Sequence, residues 1–216
     1  MKTRLVGETN SVFNHFIAEI RDKEIQKDPL RFRRNMERIG EIISYELSKT
    51  LEYETEAVTT PLGTKEMNVL KEQPVVASIL RAGLSMHQGV LNIFDRGENA
   101  FISAYRKNIS PDKFEIQVEY LACPDLNNKT LILVDPMLAT GRSMVMVYEA
   151  IQKNGIPSKV HVVSAIASKA GMEHVQNNLP DDAELWLGAL DEKLDDHSYI
   201  IPGLGDAGDL AYGQKL

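Results

Sequence analysis

Leu131-Ile132-Leu133-Val134-Asp135-Pro136-Met137-Leu138-Ala139-Thr140-Gly141-Arg142-Ser143 passes from an apolar run through a loop and into a helical pattern. Leu131 to Val134 has the composition of a buried strand, and Ser143 to Asn154 reads as a helix that stops near Gly155 and Pro157. At such a junction successive backbone N–H groups and the helix dipole hold an anion, because both present positive charge to the loop. Gly141 permits close approach, while Thr140 and Ser143 add hydroxyls, so the expected ligand is a phosphate monoester. A common strand-to-helix turn in which Asp135 or Ser143 merely caps the helix accounts for the composition about equally well. Neither a Gly-Lys-Ser/Thr ending nor a Gly-x-Gly-x-x-Gly fingerprint occurs, which sets aside a P-loop and a dinucleotide fold.

Outward from this junction the same rhythm repeats. Short apolar runs at Val75 to Leu80, Ala100 to Tyr105, Thr130 to Val134, Val160 to Ala167 and Glu184 to Ala189 alternate with helical patterns at Leu84 to Phe94 and Ala170 to Asn178. This alternation predicts an α/β fold, a mostly parallel twisted sheet flanked by helices. Phe114 to Leu121 alternates as a further strand before a turn at Asp125 to Asn128. Upstream, Ile39, Ile42, Ile43 and Leu47 mark a helix within Arg31 to Leu51, and Tyr53 to Val69 reads as a hairpin or an extended arm. Downstream, Ile200 to Gly213 is rich in glycine and reads as neither a helix nor a simple strand. With no repeat or composition break, 1–216 is read as one domain: N-terminal helices and arm to about 70, a core over 71–195, and a C-terminal addition over 196–216. Ligands in open α/β sheets gather at the carboxyl ends of the strands, which places three such segments on one rim.

The chain has 216 residues and 43% hydrophobic composition, enough for an ordinary core. Lys and Arg total 24 against 31 Asp and Glu, and the net charge of −7 argues against a general nucleic-acid binder. The basic run of Arg31, Arg33, Arg34 and Arg38 around Phe32 is read as a solvated helix face. A lone cysteine, Cys123, fits a reducing cytoplasm, and no apolar stretch has the length of a membrane span. The histidines are scattered and read as packed or surface residues, and Trp186 reads as core.

Two further segments carry chemistry. Ile79-Leu80-Arg81-Ala82-Gly83 puts a guanidinium at the carboxyl end of a strand, and Tyr105-Arg106 is read as doing the same after Ala100 to Tyr105. Lone arginines in such places are usually surface residues, but a guanidinium there also grips phosphate oxygens in a bidentate way. Tyr199-Ile200-Ile201-Pro202-Gly203-Leu204-Gly205-Asp206-Ala207-Gly208-Asp209 is either a surface turn or a backbone that approaches a ligand closely.

Together these strings resemble the type I phosphoribosyltransferases, and in their Asp-Pro-Met-Leu-Ala-Thr-Gly, Ile-Leu-Arg-Ala-Gly and C-terminal segments the uracil phosphoribosyltransferases among them. The resemblance runs from about Arg31 to the C-terminus, with Met1 to Leu30 looser. It implies transfer of the phosphoribosyl group of 5-phosphoribosyl 1-pyrophosphate to uracil. Asp135, Pro136, Met137, Leu138, Ala139, Thr140, Gly141, Arg142 and Ser143 inherit the loop that binds that substrate, with Asp135 on the ribose hydroxyls and Ala139 to Ser143 around the 5'-phosphate. Arg81 and Arg106 inherit the pyrophosphate, and Ile200, Gly205, Asp206 and Ala207 inherit uracil within a C-terminal hood. Asp206 also faces phosphoribosyl pyrophosphate, and Arg81, Asp135 and Asp206 are the expected catalytic residues. Asp135-Pro136 stands where most of the wider family has two acids, so no residue is expected to bind metal directly and Mg2+ arrives on the pyrophosphate and through water.

Departures fall at Arg142, where the commonest uracil pattern has a second glycine, at Lys107, and at Lys169-Ala170, where Pro-Glu is usual. The resemblance further implies a homodimer or higher homo-oligomer and admits GTP as an effector, although no motif carries one. Two rivals share the fold: a phosphoribosyltransferase for another base, opposed by Asp135-Pro136 and the hood, and an RNA-binding pyrimidine regulator, opposed by the net charge of −7.

Overall fold

A computed structural model describes residues 1–110 and 113–214, without the side chains of residues 104–118. The chain opens with strand β1 (Lys2–Leu5) and helices α1 (Val12–Arg21) and α2 (Pro29–Ser48), followed by β2 (Tyr53–Thr60) and β3 (Gly63–Leu70). Next come β4 (Val75–Leu80), α3 (Leu84–Ile93), β5 (Glu98–Ser110), β6 (Lys113–Ala122) and β7 (Thr130–Val134). Then follow β8 (Met137–Leu138), α4 (Arg142–Ile151), β9 (Lys159–Ser168), α5 (Lys169–Asn178) and β10 (Glu184–Asp191). The short strands β11 (Lys193–Leu194) and β12 (Ile200–Ile201) precede helix α6 (Ala207–Tyr212).

One sheet runs β1-β10-β9-β7-β4-β5-β6, with β8 also paired to β9. Its pairings are parallel except that of β5 with β6. The central strands are apolar on both faces because helices cover both. Val76, Ile132, Val134, Val163 and Trp186 pack toward α1, α2 and α3, whereas Val75, Ala77, Leu131, Leu133, Val162 and Leu185 pack toward α4 and α5. Neighbouring residues of one strand thus enter different cores, as the two-residue period requires. The first helices are bound into the first of these cores by Phe13, Ile17 and Ile20 of α1 and by Phe32, Met36, Ile39, Ile43 and Leu47 of α2.

Boundaries depart from the sequence reading in instructive ways. Helix α2 begins at Pro29, because the Asp28 carboxylate accepts from the Leu30 and Arg31 amides and proline suits the first helical position. Strand β5 does not stop at Tyr105: it continues to Ser110, held by antiparallel pairing with β6 that resumes after a register shift at Ser103/Ala104. The segment read as neither helix nor strand contains both, β12 pairing with β11 and α6 starting at Ala207. Tyr53 to Val69 lies in a β2–β3 hairpin that pairs only with itself among the described strands and is exposed over most of its length. No helix among the described residues is long and apolar enough to cross a membrane.

Candidate active site

The carboxyl ends of β4 and β7 face the C-terminal segment across a cleft of about 260 Å3. Ile79, Leu80, Arg81 and Ala82 come to it from β4, and Asp135, Met137, Ala139 and Ser143 from the β7–α4 junction. The C-terminal segment supplies Ser198, Tyr199, Ile200 and Gly205 through Gly208.

On the β7 side the loop is shaped by what lies behind it. Leu138 and Pro136 are buried, and Ile166 of β9 donates its amide to the Pro136 carbonyl at 3.0 Å. The Ala139 carbonyl accepts from Ser168 Oγ at 2.5 Å, and the same hydroxyl accepts from the Gly171 amide at 2.9 Å. Gly141 sits at φ +71°, in the left-handed region that glycine adopts freely, and there the chain turns into α4. In the first turn of α4 the Arg142 amide makes a long hydrogen bond to Thr140 Oγ1, at 3.5 Å. The amides of that turn, beside the Thr140 and Ser143 hydroxyls, present donors of the kind that an anion requires.

Asp135 stands at the start of that loop and is partly in contact with solvent, yet it is seated among apolar strand ends. Burial raises its carboxyl from the ordinary 3.8 to about 7, opposed only by the Met137 amide, whose hydrogen bond is long at 3.4 Å. Near neutrality the group is therefore divided between acid and carboxylate.

On the β4 side Arg81 Nη2 donates to Asp209 Oδ1 at 3.1 Å and to the Gly213 carbonyl at 3.1 Å. Its Nε is buried and makes no hydrogen bond to any described residue. About a third of each side chain stays exposed, 37% for Arg81 and 33% for Asp209, so water screens the pair and it holds Arg81 only weakly.

The C-terminal wall is a folded unit. The Asp195 carboxylate accepts from the His197 and Tyr199 amides at 2.9 and 2.7 Å, which closes the β11–β12 turn. Asp206 is the N-cap of α6, its Oδ1 accepting from the Asp209 amide at 3.0 Å. Arg33 of the basic run donates to the Ala211 carbonyl at 2.7 Å, so that run is more than a solvated face.

The structure thus gathers Arg81, Asp135, Met137, Ala139, Ser143, Ile200, Gly205, Asp206 and Ala207 around one cleft. Pro136 and Leu138 shape the loop from behind it, and Thr140, Gly141 and Arg142 adjoin it without lining it. For Arg106 the expected position is corrected, since it lies within β5 opposite Ile116 and not at a strand's end; its side chain lies outside the described residues. Ile79, Leu80, Ala82, Tyr199 and Gly208 line the cleft from within the quoted segments without an assigned role, and Ser198 lies outside them; the turn residues Asp195 to Ser198, close before the glycine-rich stretch, were the available signal for it.

The histidines stand outside the cleft lining. His87 Nε2 is 2.8 Å from Asn99 Oδ1, and His161 Nδ1 accepts from Trp186 at 3.2 Å. Burial lowers both, His161 to about 4, which keeps it neutral.

A family model described as uracil phosphoribosyltransferase matches residues 8–214. A uracil phosphoribosyltransferase of Porphyromonas gingivalis is 51% identical over 98% of each chain. Among solved structures, the AQ2163 protein of Aquifex aeolicus superposes with a TM-score of 0.86 at 31% identity, covering 98% of each chain. A hypoxanthine phosphoribosyltransferase of Staphylococcus aureus, at 14% identity and a TM-score of 0.50 over 75% of this chain and 76% of that one, shares the fold.

Proposed function

The chain belongs to the uracil phosphoribosyltransferase family, and we propose that its cleft holds phosphoribosyl pyrophosphate at the β7–α4 and β4 ends and uracil against the C-terminal hood. The reaction is that of a pentosyltransferase: uracil N1 displaces pyrophosphate at ribose C1, giving uridine 5'-monophosphate. The observation that carries the division of the cleft is the convergence of Ser143, Asp135, Arg81 and the Gly205–Ala207 backbone, from separate segments, on one cavity.

In this reading the first turn of α4, with Thr140 and Ser143, receives the 5'-phosphate, and Asp135 receives the ribose hydroxyls. A carboxyl of pKa about 7 either accepts or donates a hydrogen bond there. Arg81 leaves Asp209 for the pyrophosphate and stabilises the charge that grows on it as the C1–O bond breaks. Arg106 is proposed to approach the same group from β5. Uracil presents an acceptor, donor, acceptor edge, and the main chain of Ile200, Gly205, Asp206 and Ala207 reads it with N–H and C=O groups. The contribution of the protein is chiefly position and charge.

Asp135 and Asp206 bring carboxylate oxygens to the cleft but, among the described residues, no third ligand gathers with them, so Mg2+ is proposed to arrive on the pyrophosphate. Carried on the pyrophosphate and held through water by Asp206, it would neutralise charge on the leaving group. Working in the cytoplasm as a single domain, the chain is also proposed to assemble into at least a dimer through the β2–β3 hairpin. GTP as an effector belongs to the same reading and would show as a higher initial rate at fixed substrates.

The test is a panel of bases with phosphoribosyl pyrophosphate and Mg2+. Uracil should turn over and cytosine should be poor, because its amino group and unprotonated N3 leave buried partners unpaired, a mismatch worth about 10^4-fold. Comparable turnover of cytosine or hypoxanthine overturns the assignment of the hood.

A further inference from the structure

Arg21 and Asp191 end α1 and β10, and neither lines the cleft. Their side chains form a two-pronged pair, Nη1 to Oδ2 at 2.8 Å and Nη2 to Oδ1 at 2.9 Å, with only 22% and 9% of their surfaces exposed. Both members also hold one residue of the hood. Arg21 Nη1 donates to the Gly203 carbonyl at 3.0 Å, and the Gly203 amide donates to Asp191 Oδ2 at 3.0 Å. The two peptide groups that flank the Gly203 α-carbon are thereby tied to a rigid ion pair.

Gly203 stands between Ile200 and Gly205, both of which line the cleft. Its φ of +54°, and a position where a Cβ would lie 2.1 Å from the Ile200 carbonyl oxygen, leave the loop one compact shape. A base-reading backbone has no side-chain freedom with which to correct a misplacement, so its accuracy depends on whatever anchors the loop.

We propose that the Arg21–Asp191 pair is a positioning device for the base pocket, setting uracil affinity through Gly203 without touching uracil. The inference rests on the assignment of uracil to Ile200 and Gly205–Ala207. Charge-assisted, forked bonds with this little exposure are directional, and losing one partner leaves the other buried and unpaired. The consequence should fall on the hood, because phosphoribosyl pyrophosphate is held mainly by β4 and the β7–α4 junction.

The experiment compares Asp191→Asn, Arg21→Met, Arg21→Lys and Gly205→Ala with the parent protein, measuring KM for each substrate and kcat, with circular dichroism and melting to confirm folding. Asp191→Asn and Arg21→Met should each raise KM for uracil by about tenfold or more, leaving KM for phosphoribosyl pyrophosphate nearly unchanged. Combining the two should raise KM for uracil by less than the product of the separate effects, because both variants remove the same fork. Arg21→Lys keeps the charge and loses the fork, so it should fall between, and it carries the test if the other two fail to fold. If Gly205→Ala raises KM for uracil and the pair variants do not, the pair is merely structural and the proposal fails. If Gly205→Ala also leaves KM for uracil unmoved, the base is not read by the hood, and the assignment fails with it.

Discussion

Asp135 and Asp206 are both carboxylates on the cleft, and their surroundings give them opposite duties. With Asp135 raised from 3.8 to about 7, the folded protein holds a proton that the unfolded chain releases between those values. The contribution of this group to stability is fully present below pH about 4 and is lost as pH rises through about 7. Asp135→Asn should therefore melt at a higher temperature than the parent above pH 7, with the gap closing toward pH 4, while its activity falls. A gap that does not change with pH would mean the carboxyl is not perturbed. Asp206 already gives one oxygen to the Asp209 amide, a duty that Asn performs as well. Asp206→Asn thus isolates the charge: the fold should persist and the Mg2+ concentration for half-maximal rate should rise. Superimposable Mg2+ titrations would leave Asp206 as a cap alone. Both residues were legible in the sequence through their motifs. What it did not disclose is the apolar setting of Asp135 or the capping bond of Asp206, since each depends on chain packed from elsewhere.

At the scale of elements, the phosphate loop owes its shape to α5 as much as to its own residues. A Cβ on Gly171 would lie 2.3 Å from the Ala139 carbonyl oxygen and 2.4 Å from that of Leu138, both backbone atoms that cannot swing aside. Gly171→Ala should push α5 from the loop, costing about 1–3 kcal/mol of stability. It should also raise KM for phosphoribosyl pyrophosphate well above any change in KM for uracil. Equal kinetics for the two proteins would show that the loop keeps its shape unaided. The central strands were readable because each is an apolar run bounded by turns, and their two-faced burial follows from helices on both sides. The full length of β5 was not, because its extension depends on pairing with β6 and its composition from Arg106 to Ser110 is polar apart from Ile109. Helix α6 was hidden by its glycine-rich surroundings; it is six residues long and is held by Asp206 at its start and Arg33 near its end. Intrinsic propensity gives no warning of a helix sustained in this way.

For the whole molecule, the hairpin is the feature that a single chain leaves unexplained. Strands β2 and β3 expose Val58 and Met67, and Leu62 at the tip is fully exposed. Replacing 54–69 by a short glycine turn should lower the mass measured by light scattering to that of a monomer while the cleft stays folded. An unchanged mass would place the subunit contact elsewhere. The segment was readable as a hairpin or an arm from its threonines around Pro61 and Gly63, yet the anchoring of the hood was not, because Arg21 and Asp191 meet across 170 residues of sequence. Strand β1 spans a comparable distance: it pairs with β10, and beside that ladder Arg4 Nε donates to Glu184, 180 residues away. During synthesis on a ribosome, then, the first strand has no partner until almost all of the chain has emerged. The region from β4 to β9, whose contacts are closer in sequence, is expected to form the earliest stable platform. Until α6 emerges, α2 lacks part of the surface that it packs against, and a chain arrested just short of the hood should engage a holding chaperone or aggregate.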